Sequence, residues 1–302
     1  MIESTGEPHA DFEDLNRRGY EAAETGRLEE ALGIFDELLA WARQRGTSEL
    51  VDLAFCNRAA VAVVLGRGET ELLLLRRILL KGEDPINCRL AAYNLARHYE
   101  LTKNYKKATF YARIACERAE RLGRMDWVAS SRNLIGNVLL AESFVDQAAE
   151  EFEKALQLMP PETSVWRARI LDNLGYCRVL QHRYPEGYSL LYDSLAVLRR
   201  RAAERYLIST HLDLCFAHLE TGHYRHARRH GTSALRLAES MKEKDAMKNA
   251  LYLLGECANL SGDVLAACSF FSRLQEEFFP EVSYLPGFLL AVDVRKLVNL
   301  HA

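Results

Sequence analysis

Residues 133–160 read Asn-Leu-Ile-Gly-Asn-Val-Leu-Leu-Ala-Glu-Ser-Phe-Val-Asp-Gln-Ala-Ala-Glu-Glu-Phe-Glu-Lys-Ala-Leu-Gln-Leu-Met-Pro. Two helical patterns lie in this stretch, broken around Glu142 to Phe144, because apolar residues recur at i, i+3 and i+4 on either side of the break. Within it sits a short word, an apolar residue followed three positions later by a small one. The word recurs as Leu28/Ala31, Tyr105/Ala108, Val145/Ala148, Tyr184/Gly187, Tyr224/Ala227 and Val264/Ala267. The last five small residues are 40, 39, 40 and 40 positions apart. Twelve residues upstream of each lies a second position of the same kind: Gly19, Ala96, Gly136, Gly175, Cys215 and Gly255. Two small residues at a constant offset, repeated at one period, describe a helix pair that packs closely and stacks on its neighbours. The spacing predicts seven pairs, over Phe12–Arg45, Val51–Lys81, Cys88–Leu122, Val128–Met159, Trp166–Arg201, Leu207–Met241 and Ala246–Phe279. Gly26, Gly66, Gly222 and Gly262 fall at the turn within a pair, where a left-handed residue ends the first helix at little cost.

The phrase Gly136, Ala148, Phe152, Ala155, Pro160 resembles the tetratricopeptide repeat, as do Leu174-Gly175 and Leu254-Gly255 with Ala267 and Phe271. The resemblance implies an all-α, right-handed α-solenoid over residues 11–280. Within residues 281–302 the apolar residues from Phe288 to Leu300 fit one face of a single capping helix, and residues 1–10, poor in apolar side chains, are expected to be disordered. A period near 40 exceeds the usual 34 by about one and a half helical turns. Long repeats of this kind are similar to those of kinesin light chain, LGN-type scaffolds, MalT-like activators and Rap-type bacterial receptors. The second repeat departs most, with Glu71 at the small position and Leu72 to Leu75 continuously apolar, so its helix needs cover on more than one side.

In this family the first helix of each pair lines a concave groove. A side-chain amide or acid recurs there as Asn16, Asn57, Asn94, Asn133, Asn173 and Asp213, with gaps of 41, 37, 39, 40 and 40. Asn carries a donor and an acceptor and so suits a peptide backbone, which has both; kinesin light chain and LGN-type repeats use Asn at the matching position in this way. The same spacing suits bonds to the neighbouring helix that set the repeat distance, and both readings stand. Tyr93, Arg97, Asn137, Arg169, Asp172 and Tyr176 surround the ladder. The two arginines suit a ligand carboxylate, and the tyrosines offer stiff apolar contact with a polar tip. The Lys and Asn set of a carboxylate clamp is incomplete, so a chaperone-tail receptor is not expected.

Other signals mostly exclude. A net charge of −3 and a pI near 6.3 speak against direct nucleic-acid binding. Seven cysteines without a CxxC motif point to reduced thiols and no structural zinc. No apolar run approaches the length of a membrane span, and no leader pattern opens the chain, so a cytoplasmic location is expected. Phosphate-loop, HExxH and GxSxG motifs are missing, which leaves no enzyme, metal or cofactor reading. His223 to His230, reading His-Tyr-Arg-His-Ala-Arg-Arg-His, is expected as a solvated basic face of a second helix. The functional expectation is a non-catalytic module whose groove binds a peptide or extended protein segment. Two alternatives remain: a regulatory module of a bacterial signalling system acting through a partner, or a scaffold self-associating through the second repeat or the last helix.

Overall fold

The computed structural model describes residues 7–159, 164–295 and 298–301. Among these, fifteen α-helices follow one another: α1 (Glu7–Glu24), α2 (Leu28–Arg45), α3 (Ser48–Val64), α4 (Leu72–Lys81), α5 (Pro85–Leu101), α6 (Tyr105–Arg121), α7 (Met125–Ala141), α8 (Val145–Leu158), α9 (Val165–Leu180), α10 (Tyr184–Arg200), α11 (Glu204–Glu220), α12 (Tyr224–Met241), α13 (Lys244–Leu260), α14 (Val264–Phe278) and α15 (Leu285–Ala291). The first fourteen follow one another, in chain order, at the positions of the seven expected pairs. Helix α1 takes in residues 7–10 of the segment expected to be disordered; residues 1–6 lie outside the described residues.

Side-chain caps start several of these helices. Asp84 Oδ2 accepts from the Asn87 amide at 2.9 Å ahead of Pro85, and Ser164 Oγ accepts from the Arg167 amide at 3.1 Å. Each satisfies one of the backbone donors that a helix start leaves open. All seven within-pair turns hold one residue at positive φ: Gly26, Gly66, Lys103, Ser143, His182, Gly222 and Gly262. The turn demands a left-handed residue in every repeat, and glycine supplies it in four. Ala202, between pairs, also sits at φ 50°, where its Cβ crowds the following carbonyl. Replacing Ala202 by Gly is expected to stabilise the chain by about 1 kcal/mol, seen as a higher urea midpoint.

The repeated word has a direct packing meaning. At Phe35, Leu191 and Phe271, four residues after the small position, a large apolar side chain fills the space left by the upstream glycine. A Cβ on Gly19 would meet the Phe35 ring at 2.5 Å, one on Gly175 would meet Leu191 Cγ at 2.8 Å, and one on Gly255 would meet Phe271 at 2.2 Å. In the α11/α12 pair the sizes reverse: Gly231 lies on the second helix and Cys215 on the first, with a Cβ at Gly231 meeting Cys215 Sγ at 3.1 Å. The rings of Phe35, Phe152 and Phe271 are fully buried, each stabilising by about 1.5–3 kcal/mol.

The second repeat is built differently from the rest. A 3₁₀ turn over Gly68–Glu71 replaces the first turn of its second helix. Glu71 is buried, and its Oε1 accepts from Arg58 Nη1 at 2.6 Å and from Thr70 Oγ1 at 3.1 Å. An ion pair therefore stands where the other repeats place an alanine or a glycine. Leu72, Leu75, Ile78 and Leu79 are buried, whereas Leu73 and Leu80 are exposed. The continuous apolar run is thus covered on one side.

The chain divides into two compact units, Met1–Glu142 with Glu153–Pro160, and Ser143–Phe152 with Pro161–Ala302. In the first unit α3 packs on α5 and α5 on α7; in the second, α9 packs on α11 and α11 on α13. These first helices form an inner row in each unit. The last helix differs from expectation. It stops at Ala291 rather than running to Leu300, with Val292 extended at φ −125° and ψ 122°. Asp293 turns back to accept from the Arg295 amide at 3.1 Å, a side-chain bond that competes with continued helix. Among the described residues no helix is long and apolar enough to cross a membrane.

Candidate functional site

In the first unit the amide ladder runs along the seam between inner helices. Asn57 Nδ2 donates to Asn16 Oδ1 at 2.7 Å, and Tyr20 donates to Asn57 Oδ1 at 2.8 Å. Asn94 Nδ2 donates to the Cys56 carbonyl at 2.7 Å. Asn57, Asn94 and Asn133 are all buried. The offset of two or three residues from the small position explains this. It rotates the side chain by about 200–300° from the pair partner, towards the preceding repeat rather than the open groove. For Asn57 and Asn94 the bonds observed are those of the repeat-spacing reading, one of the two that the sequence left open.

Arg97 pairs with Glu100 on its own helix, and Glu100 Oε1 also accepts from Asn137 Nδ2 at 3.1 Å. The guanidinium expected to await a ligand carboxylate already has one. Tyr93 is half-buried, and the Arg89 guanidinium lies over its ring at 4.7 Å and over Trp127 at 4.9 Å. Arg89 is buried and donates to Ser130 Oγ at 2.7 Å. Burial lowers its pKa, and the two ring faces help to hold the charge. The sequence reading missed this clamp between α5 and α7, since a lone arginine on a helix carries no periodic signal.

In the second unit the expected residues Asp172, Tyr176 and Asp213 come together, but not in open solvent. Asp172 is 3% exposed, Tyr176 1% and Asp213 1%. The segment that follows α15 covers them. His301 Nε2 lies 3.1 Å from Asp213 Oδ1, and its ring stacks on Tyr176 with centroids 4.4 Å apart. Asn249 Nδ2 donates to the Leu300 carbonyl at 3.1 Å, and Asn259 Nδ2 donates to the Leu290 carbonyl at 3.3 Å. Arg295 Nη1 donates to Glu220 Oε1 at 3.0 Å and its Nε approaches Glu256 Oε2 at 4.0 Å. Tyr176 therefore meets the chain's own segment where an outside ligand was expected. The half-buried Asn173 lies beside this cluster in sequence. Arg169 is held between the rings of Trp166 and Tyr206, at 4.8 and 4.6 Å.

The electrostatics of this face are unusual. Burial, reinforced by the Asp213 charge, pushes Asp172 well above the ordinary carboxylate range, and burial pushes Asp213 up as well. Burial opposes the charge of His301, but Asp213 and Asp172 outweigh it and raise its pKa. Burial, with Asp293 nearby, lifts Glu256 to about 7. The face is thus a row of buried acids facing one guanidinium and one imidazole. Ser209, Asn249 and Glu256 were missed in the sequence, although the period reaches them. Arg169, Ser209 and Asn249 are each 40 apart, as are Tyr176, Phe216 and Glu256. Extending the groove positions by whole repeats finds all three.

The basic segment on α12 is also placed differently from expectation. His230 is buried and turned inward, its Nδ1 2.9 Å from Nδ1 of His211. His218 is bracketed by hydroxyls, with Nδ1 3.1 Å from Tyr188 Oη and Nε2 2.9 Å from Tyr192 Oη. Burial first, then neighbouring cations, lowers His211, His218 and His230 to about 4. His223, His226 and the arginines remain exposed. Among the described residues no group of three or more His, Cys, Asp or Glu could hold a metal ion.

The helix pairs, their turns and their packing rule decide the architecture. The chain has the tetratricopeptide-type α-solenoid fold. Solved structures carry the same architecture at low identity. The apo form of RapI superposes with a TM-score of 0.63 at 12% identity, covering 88% of this chain and 97% of that one. PilW, described as a widely conserved type IV pilus biogenesis factor, gives 0.58 at 20% identity, covering 79% and 98%. A Rap protein complexed with competence and sporulation factor gives 0.57 at 13% identity, covering 96% and 97%. No protein-family model matches the sequence, and no curated protein matches it. The likeness establishes the solenoid fold and nothing finer.

Proposed function

We propose that the chain is a non-catalytic interaction module that holds an extended peptide or protein segment along α9, α11 and α13 of its second unit. The carrying observation is that non-helical residues of the chain itself already lie there, with Asn249 bound to a main-chain carbonyl and Arg295 and His301 set against acids. An amide that grips a carbonyl asks little of the ligand's sequence, while buried acids select for positive side chains. The fold shared with the Rap protein complexed with competence and sporulation factor supports the same class of role.

Selection from a phage-displayed library of random dodecapeptides on the intact chain tests this reading. Enriched peptides are expected to lose affinity by about fivefold on a chain carrying Asn249→Ala, since one amide bond contributes about 1 kcal/mol. Failure to enrich any peptide, or equal binding to the variant, overturns the proposal.

A further inference from the structure

The pocket that receives His301 offers more acceptors than an imidazole fills. Asp172 Oδ2 accepts from Ser209 Oγ at 3.0 Å, and Asp213 Oδ1 is engaged by His301. Asp172 Oδ1 and Asp213 Oδ2 are buried and have no hydrogen-bond partner among the described residues. The same holds for Glu256 Oε1 and Tyr252 Oη, further along the face towards Arg295. A buried acceptor left unpaired costs more than the average bond is worth, and two carboxylates sharing one small cation resist full ionisation. An imidazolium brings two N–H donors. A guanidinium brings five in a rigid fork, matches carboxylates in pairs, and lies flat against an aromatic ring. The stacking surface is present in Tyr176, now covered by the His301 ring at an interplanar angle of 29°.

We propose that Asp172, Asp213 and Tyr176 form an arginine-recognition subsite for an extended peptide, in which His301 of the chain itself sits as a weaker, exchangeable occupant. The proposal rests on the peptide-binding reading of this face and specifies its ligand. The ligand is a segment with two cationic anchors six residues apart, the first at Glu220 and Glu256 as Arg295 now lies, the second an arginine between Asp172 and Asp213. Glu220 and Asp213 stand seven residues apart on α11, about 10 Å, and six residues reach up to about 20 Å, so the segment joining the two anchors has length to spare for turns. The chain's own segment then competes with any partner, so a partner binds only by exceeding the tethered histidine. A segment with an acidic residue at the second anchor is excluded by charge.

The test uses fluorescently labelled, C-terminally amidated peptides of sequence 292–302 in three forms: unchanged, with His301→Arg, and with His301→Glu. Anisotropy titrations use the intact chain and the full-length chain carrying Arg295→Ala and His301→Ala. On the intact chain the His301→Arg peptide is expected to bind at least tenfold tighter than the unchanged one, and the His301→Glu peptide not to bind. Both cationic peptides are expected to bind the doubly substituted chain at least tenfold tighter than the intact chain. In a chain with Asp213→Asn, folded by circular dichroism, the preference for the arginine form is expected to shrink towards unity. If that variant does not fold, the preference on the intact chain decides alone. Equal affinity for the unchanged and His301→Arg peptides overturns the subsite, and equal affinity for the intact and doubly substituted chains overturns the competition. If none of these peptides binds while library-selected peptides do, the arginine subsite falls and the peptide-binding face stands. If nothing binds in either experiment, both fall.

Discussion

Replacing His211 and His230 together by leucine is expected to remove about 4 kcal/mol of acid sensitivity between pH 7 and pH 5. The geometry gives the reason. The two Nδ1 atoms lie 2.9 Å apart, so one ring donates and the other accepts, an arrangement that requires an unprotonated nitrogen. A proton on the accepting nitrogen would set two donors face to face. Burial is the first cause of the low values of both rings, and the arginines that bear on them add to it: Arg199, Arg229 and Arg236 for His211, and Arg229 and Arg199 for His230. Both rings therefore titrate at about 4 in the folded chain, against about 6.5 in the unfolded chain.

A histidine with a lowered folded pKa leaves stability intact above its unfolded value. Stability then falls as the pH drops from about 6.5 towards 4, because only the unfolded chain takes up the proton. From pH 6.5 to pH 5 the loss is about 2 kcal/mol for each ring, at 1.36 kcal/mol per pH unit. The acids around His301 act in the opposite sense. Asp172, Asp213 and Glu256 have raised folded pKa values, so the folded chain holds protons that the unfolded one releases, and acid favours it. They are present in both proteins and cancel in the comparison. Urea unfolding at pH 5, 6 and 7 should show the double variant gaining on the wild type as pH falls. Parallel curves would remove the histidine pair from the account.

The second large effect is expected at Gly255. An alanine there places its Cβ 2.2 Å from Cε1 and 2.5 Å from Cδ1 of Phe271. That ring is fully buried and has no free volume into which to swing. Overpacking of this kind costs about 1–3 kcal/mol, and alanine returns up to about 1 kcal/mol of helix propensity. With the contact this short the packing loss wins, and Gly255→Ala is expected to destabilise by about 2 kcal/mol. Gly33 on α2 is the matched control. It is exposed and nothing lies within 4 Å of its added Cβ, so Gly33→Ala should be neutral or stabilising by up to about 1 kcal/mol. Chemical denaturation followed by far-ultraviolet circular dichroism separates the two; a neutral Gly255→Ala would mean that the ring yields.

Much of this fold was legible beforehand because its determinants are local and repeat. The small residue, the large apolar residue four positions on, and the turn that needs a left-handed residue each lie within one pair. Even the failed word at Glu71 marked a real departure, filled by the Arg58 ion pair. The site was less legible. Tyr93, Arg97, Asn137 and Arg169 sit on inner helices as expected, yet their partners are neighbouring side chains. A period shows where a residue recurs, but a two-residue offset decides whether it meets a seam or an open face. His230 showed the same limit, since its ring on a basic helix is paired by another ring nineteen residues away.

By itself the sequence determined the seven helix pairs, their boundaries at the turns and the close packing of small residues within each pair. These follow from backbone preference and side-chain volume within forty residues. Only the tertiary structure decided that the last helix ends at Ala291 and that Arg295, Leu300 and His301 beyond it meet α9, α11 and α13. The contacts responsible join residues 75 and 88 positions apart, Arg295 to Glu220 and His301 to Asp213. No periodic pattern encodes such a pairing. It depends on buried acids that need a cation and on a chain segment long enough to bring one.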